Sequence, residues 1–151
     1  MTCYPDTSFL CSVYREQEHS PAADAYRDKM SSALPFTSLL EFEFLQSVEL
    51  QVWLHAQDRA KGYSRREADL MLADWQSDVA AGLNLLVPVD SDLVLGLAVE
   101  LSRKHTASGG HRTLDILHVA TAVHLQARTF LTFDARQKQL AEFLGLKVPF
   151  A

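Results

Sequence analysis

Between Thr113 and Ala127 the chain carries apolar side chains on nearly every face of the helix it would form: Leu114, Ile116, Leu117, Val119, Ala120, Ala122 and Val123. A helix apolar all round must be covered all round, so this one belongs at the centre of a layered fold rather than on its surface. Thr113 can cap it, and residues 128–133 follow as a strand that ends at Asp134. With 151 residues, 48% of them hydrophobic, the chain has the material for a single core, and we expect one domain spanning 1–151.

The remaining segments repeat the strand-then-helix pattern. Residues 1–5 read as a short strand leading into Asp6-Thr7-Ser8, after which Phe9, Leu10 and Val13 have helical spacing. Ser20-Pro21 places a favoured cap before a proline at the first helical position and predicts a mostly polar surface helix to about Ser32. Residues 33–36 form the next expected strand. Ser38 and Glu41 fit a capping box that opens a long helix to about Ala60, and Ser64 and Glu67 fit a second that opens a helix ending near Gly82. These two helices predict a hairpin over about 38–82. Residues 83–89 suit a buried strand, Asp90 can cap a helix to about Lys104, and Ser108-Gly109-Gly110 marks a loop. A last helix should run from Ala135 to Leu144 and stop at Gly145, with a final short strand over 146–150. Strands alternating with helices imply an α/β fold whose central, mostly parallel sheet is covered on both faces, a three-layer α/β/α domain.

Several function classes are set aside by composition. The longest apolar runs, such as Leu85–Val89, are far too short to span a bilayer. Pro5 and Asp6 interrupt any leader-like apolar segment near the start, which predicts a protein that stays in the cytoplasm. Cys3 and Cys11 lack the spacing of redox or zinc motifs and read as two buried thiols. A net charge of −5 argues against nucleic-acid binding through a globally basic surface, although bound divalent cations would offset a local excess of carboxylates.

The chemistry lies in the acids. In an open parallel sheet the carboxyl ends of the strands converge on one edge, where ligands bind. Asp6 and Asp134 follow expected strands directly; Glu43 falls in the first turns of the helix after the second strand, and Asp115 in the first turn of the apolar helix. Each has an ordinary alternative: Asp6 and Asp134 as helix caps, Glu43 as an exposed glutamate favoured by the helix dipole, Asp115 as a carboxylate held by the same dipole. Glu41 and Glu43 cannot share a direction on one helix, and with Glu41 assigned to the capping box Glu43 is the better ligand candidate. Four carboxylates brought together would resist ionisation without a cation. Oxygen donors and no Cys/His set select Mg²⁺ or Mn²⁺, and carboxylate-held metal suits phosphodiester hydrolysis. The six histidines show no metal-ligand spacing, and His118 reads as buried and hydrogen-bonded one turn from Asp115.

The segments Tyr4-Pro5-Asp6-Thr7-Ser8, Leu34 to Leu39 running to Glu43, Arg112-Thr113-Leu114-Asp115-Ile116-Leu117-His118 and Phe130-Leu131-Thr132-Phe133-Asp134 resemble the PIN-domain nucleases, in particular the VapC-like toxins of toxin–antitoxin pairs. The resemblance covers nearly the whole chain. It implies that Asp6, Glu43, Asp115 and Asp134 coordinate Mg²⁺ or Mn²⁺ and catalyse RNA cleavage, that a VapB-like antitoxin is the protein partner, and that the chain forms a homodimer. Pro5 departs from the aliphatic residue usual before the first aspartate and predicts a first strand shortened at its end. Arg59, Lys61, Arg65 and Arg66 cluster near the hairpin turn and Arg112 lies near Asp115; either could meet RNA phosphates, and a solvated charged surface is the plainer account of the hairpin cluster.

Two other functions stay open. A non-catalytic RNA- or protein-binding scaffold could keep the fold with an idle site. An aspartyl-phosphate phosphotransfer domain would also place acids at strand ends, but it calls for Asp-x-Asp where this chain has Asp6-Thr7-Ser8, and for a late-strand lysine that 128–134 lacks.

Overall fold

Short strands set before well-capped helices organise the chain, and the computed structural model describes them over residues 2–151; the part of the expected first strand that falls on Met1 lies outside. The chain divides into two units, one holding the residues up to Phe9 together with Val87–Ala151, the other Leu10–Leu86.

In the first unit, β1 (Cys3–Pro5) pairs in parallel with β4 (Thr129–Leu131), with Tyr4 opposite Phe130. Contrary to the expected shortening, β1 includes Pro5. Thr2 O accepts from Thr129 N and Asp6 N donates to Leu131 O at 3.0 Å, so the even-numbered residues bond β4 and the missing Pro5 N–H is not needed there. Of the expected last strand, one bridge remains: Lys147 N donates to Arg128 O and Phe130 N to Lys147 O.

Asp90 caps α5 (Ser91–Leu101), its Oδ1 accepting from Asp92 N and Leu93 N. The helix then widens into a π-helical turn, Ser102–Thr106, and a last turn α6 (Ala107–Gly109), which Gly110 ends with φ +66°. Helix α7 (Thr113–His124) packs on α5, and Val119, Ala120 and Ala122 are fully buried in it, as the apolar pattern requires. Its cap is Arg112 rather than Thr113. His118 is fully buried, with Nδ1 3.5 Å from the Tyr4 hydroxyl. Asp134 caps α8 (Ala135–Phe143), which packs on α7.

The second unit carries most of α1 (Thr7–Tyr14), α2 (Ser20–Asp28), α3 (Ser38–Gln57) and α4 (Arg65–Ala80), with β2 (Leu34–Phe36) parallel to β3 (Asn84–Leu86). Ser20 does not cap α2; its hydroxyl turns back to donate to Ser12 O at 2.6 Å, and His19 takes the cap position. Helices α3 and α4 pack as the expected hairpin, and Ser64 Oγ accepts from Glu67 N at the start of α4. Gly62 permits the turn between them: at φ +57° a Cβ would stand 2.0 Å from Gln51 O. The buried strand expected over 83–89 is three residues long, and Leu85 and Leu86 are about half exposed while Asn84 is buried. A polar contact sets the Asn84 face: Asn84 donates to the Tyr14 hydroxyl at 2.6 Å and accepts from Arg27, which puts Leu85 on the opposite, outward face; Leu86 shares the Asn84 side of the strand and is half exposed where the strand ends.

Among the described residues no helix is long and apolar enough to cross a membrane, and neither cysteine is in a disulfide, Cys3 being buried and Cys11 half-buried.

Candidate active site

Asp6 leaves β1 at its carboxyl end and is fully buried. Both carboxylate oxygens are engaged: Oδ1 accepts from Ser8 Oγ at 2.6 Å and Phe9 N at 2.9 Å, and Oδ2 accepts from Thr132 Oγ1 at 2.5 Å. Burial pushes its pKa above the ordinary carboxylate value, and the hydrogen bonds from Ser8, Thr132 and Phe9 and the nearby His118 pull against that rise. Thr132 in turn accepts from Asp134 N at 3.0 Å, and Ser8 Oγ accepts from Phe133 N at 2.9 Å. Asp6 is thus joined through two hydroxyls to the turn that carries Asp134.

Asp134 and Asp115 face one open cavity of about 250 Å³, together with Arg112, Ala135 and Arg136. Each acid has one oxygen bound at a helix start. Asp134 Oδ1 accepts from Arg136 N and Gln137 N at 2.9 and 3.0 Å, and Asp115 Oδ2 accepts from Arg112 N at 3.2 Å. Asp134 Oδ2 and Asp115 Oδ1 have no hydrogen-bond partner among the described residues, and no ion pair there joins either acid to Arg112 or Arg136. The helix N-termini orient the carboxylates and favour their charge, while one oxygen of each remains available to a ligand.

Glu43 lies in the second unit, half-exposed in the first turns of α3. The capping box assigned to Ser38 and Glu41 is not formed. Thr37 is the cap, its Oγ1 accepting from Leu40 N at 3.3 Å, so Ser38 is already helical and Glu41 has no part in the cap. The preference for Glu43 over Glu41 therefore loses the local reason drawn from the sequence and rests on the family pattern. Among the described residues, no three or more His, Cys, Asp or Glu side chains form a ready metal cluster.

Of the hairpin basic cluster, Arg65 is committed to protein acids: Nη1 and Nη2 both reach Glu49, and Nη1 lies 3.6 Å from Asp69. Arg65 holds the Glu49 carboxyl below its usual range. Arg136 is the site residue that sequence reasoning missed. It had a signal, since a basic residue in the first turn of a helix opposes the dipole and calls for another reason to be there.

Two parallel strand pairs set among helices, with Asp6 at the end of β1 and with Asp134, just past β4, sharing a cavity with Asp115, define an α/β protein with carboxylates at and beside its strand termini. The PIN domain profile matches residues 3–143, and the chain belongs to the PIN domain family, whose fold is mixed α/β with parallel strands. The crystal structure of FitAcB from Neisseria gonorrhoeae is similar over 97% of this chain and 96% of that one, with a TM-score of 0.65 and 16% identity, a likeness of fold. A search of curated proteins gives no match.

Proposed function

We propose that this protein is a Mg²⁺- or Mn²⁺-dependent endoribonuclease acting as the toxin of a toxin–antitoxin pair. One observation carries the reading: two carboxylates share a cavity, each with one oxygen fixed by a helix start and the other without a partner. The donor set fits the metal, because Mg²⁺ keeps most of its water and is held by one or two carboxylates. Asp115 and Asp134 would hold it, and the cation would supply charge neutralisation at a phosphodiester and acidify water for the attack.

The chain's own residues do the rest. Arg112 and Arg136 line the same cavity, and their guanidinium groups suit phosphate oxygens of an RNA strand. Asp6 sets the turn carrying Asp134 through Thr132 and Ser8, and it belongs to the catalytic set by the PIN pattern. Glu43 enters on that pattern alone. A VapB-like antitoxin and a homodimeric state belong to the same reading, as does residence in the cytoplasm.

Purified protein given single-stranded and structured RNA with Mg²⁺, with Mn²⁺ and with EDTA tests the chemistry, beside Asp6→Asn, Asp115→Asn and Asp134→Asn. Cleavage should require the metal and fail in the variants; cleavage that persists in EDTA overturns the proposal. Expression without a partner should slow growth, and unimpaired growth with demonstrably active enzyme counts against the toxin role alone.

A further inference from the structure

In the second unit, a half-polar cavity of about 310 Å³ lies among the end of α1, the middle of α3 and the start of α4, lined by Arg15, Gln17, Ser47, Gln51, Tyr63 and Met71 among others. Tyr63 is only 6% exposed, yet its hydroxyl has no hydrogen-bond partner among the described residues. Tyr14 shows what a buried tyrosine in this unit otherwise does. At 9% exposure it donates to Asp78 at 2.6 Å and accepts from Arg27 and Asn84 at 2.9 and 2.6 Å. The Tyr63 hydroxyl is not one of the fully enclosed atoms left without a partner, so the oxygen keeps contact with solvent beside the cavity and is available to a ligand there.

Arg15 supplies the charge. Its guanidinium carbon stands 4.6 Å from the centroid of the Tyr63 ring, and its Nη2 reaches Glu67 at a long 3.4 Å. Nη1 has no partner among the described residues, and Nε is buried without one. Glu49, the other nearby acid, is taken by Arg65. What the cavity offers is the Arg15 Nη1 group and one hydroxyl, both donors, beside the apolar Met71 and the tyrosine ring, while Nε is shut away from solvent. That set suits a monoanion with two acceptor oxygens; a phosphate dianion would need more cations. The volume is at the low end of small-molecule sites, about 300–1,000 Å³.

We infer that this cavity binds a carboxylate of a few carbons, through Arg15 and the Tyr63 hydroxyl. The group could belong to a free organic acid or to a glutamate side chain of a bound peptide, and the test separates the two. The full chain, carrying ¹³C-tyrosine and ¹⁵N-arginine, is titrated by NMR with succinate, with acetyl-Gly-Glu-Gly-amide and with neutral succinamide. Saturable shifts of the Tyr63 ring and Arg15 Nε signals are expected with succinate or the peptide and not with succinamide; the one that saturates names the source. Tyr63→Phe keeps the ring under Arg15 and should weaken binding about tenfold, the scale of one charged hydrogen bond. Arg15→Gln should abolish saturation. Failure of both acids to saturate, an equal response to succinamide, or unchanged affinity in Tyr63→Phe overturns the inference, and the Tyr63→Phe arm decides it if Arg15→Gln does not fold.

Discussion

The Thr132 hydroxyl donates to the Asp6 carboxylate at 2.5 Å and accepts from Asp134 N at 3.0 Å, so one oxygen joins the carboxyl ends of β1 and β4. Both side chains are essentially buried. Thr132→Val keeps the shape and removes the hydroxyl, leaving Asp6 Oδ2 without its donor and Asp134 N without its acceptor. We expect a loss of about 1–3 kcal/mol in unfolding free energy, the cost of stranding buried polar groups, read from urea denaturation. Thr132→Ser restores the bond and should recover most of it; equal losses in both variants would mean that packing of the methyl group, not the hydroxyl, matters there.

Asp134 has two roles, and one substitution separates them. Its Oδ1 caps α8, and asparagine caps nearly as well, so Asp134→Asn should leave the melting temperature almost unchanged. The negative charge is lost, and RNA cleavage should fall by at least about a hundredfold, the scale of removing one group that stabilises transition-state charge. Asp134→Ala should lose activity similarly and about 1 kcal/mol of stability as well. Full activity in Asp134→Asn, measured with saturating Mg²⁺, would reduce Asp134 to a capping residue.

What the sequence made legible was local. Asp90, Ser64 and Asp134 were readable as caps because each is a favoured cap residue standing just ahead of a helical segment. Thr37-Ser38 offered two hydroxyls in a row, and the choice fell to backbone conformation: Thr37 has the extended φ −115°, ψ 164° of a cap. Ser20 was misread because its hydroxyl found backbone carbonyls on the preceding segment, Ser12 O and Arg15 O. Leu85 and Leu86 looked like core by composition, yet the contact of Asn84, the first residue of β3, with the Tyr14 hydroxyl puts Leu85 on the outward face, and Leu86 is half exposed as well. The acids at the ends of β1 and β4 were legible from strand position, whereas the hydroxyl bridge between Asp6 and Asp134 depends on a contact 126 residues apart in sequence.

Glu41 and Glu43 provide a direct comparison on one helix. Both are partly exposed and neither takes part in the Thr37 cap, and replacing Glu41 by glutamine should shift stability by less than about 0.5 kcal/mol. Under the proposed function, Glu43→Gln loses RNA cleavage and Glu41→Gln keeps it. The reverse outcome, or full activity in both, would remove Glu43 from the catalytic set while leaving the Asp115 and Asp134 arguments intact.

Alkaline stability should depend on Tyr14. Burial, and after it the hydrogen bond to Asp78, push its pKa from 10.0 to about 12, against the pull of Arg27 and Asn84. Below 10 the hydroxyl is protonated in both folded and unfolded chains, and its three hydrogen bonds contribute fully. Between the two values the unfolded chain releases the proton first, so the folded state binds more protons and stability falls as pH rises; past about 12 the folded group ionises too and the contribution is gone. Tyr63, also raised to about 12 chiefly by burial, acts in the same direction. Tyr14→Phe removes one of these ionisations and also the network to Asp78, Arg27 and Asn84. The variant should therefore be less stable than the parent at neutral pH, and the gap in urea midpoints should narrow as pH climbs from 10 towards 12. Parallel curves across that range would show that the Tyr14 proton is not linked to folding.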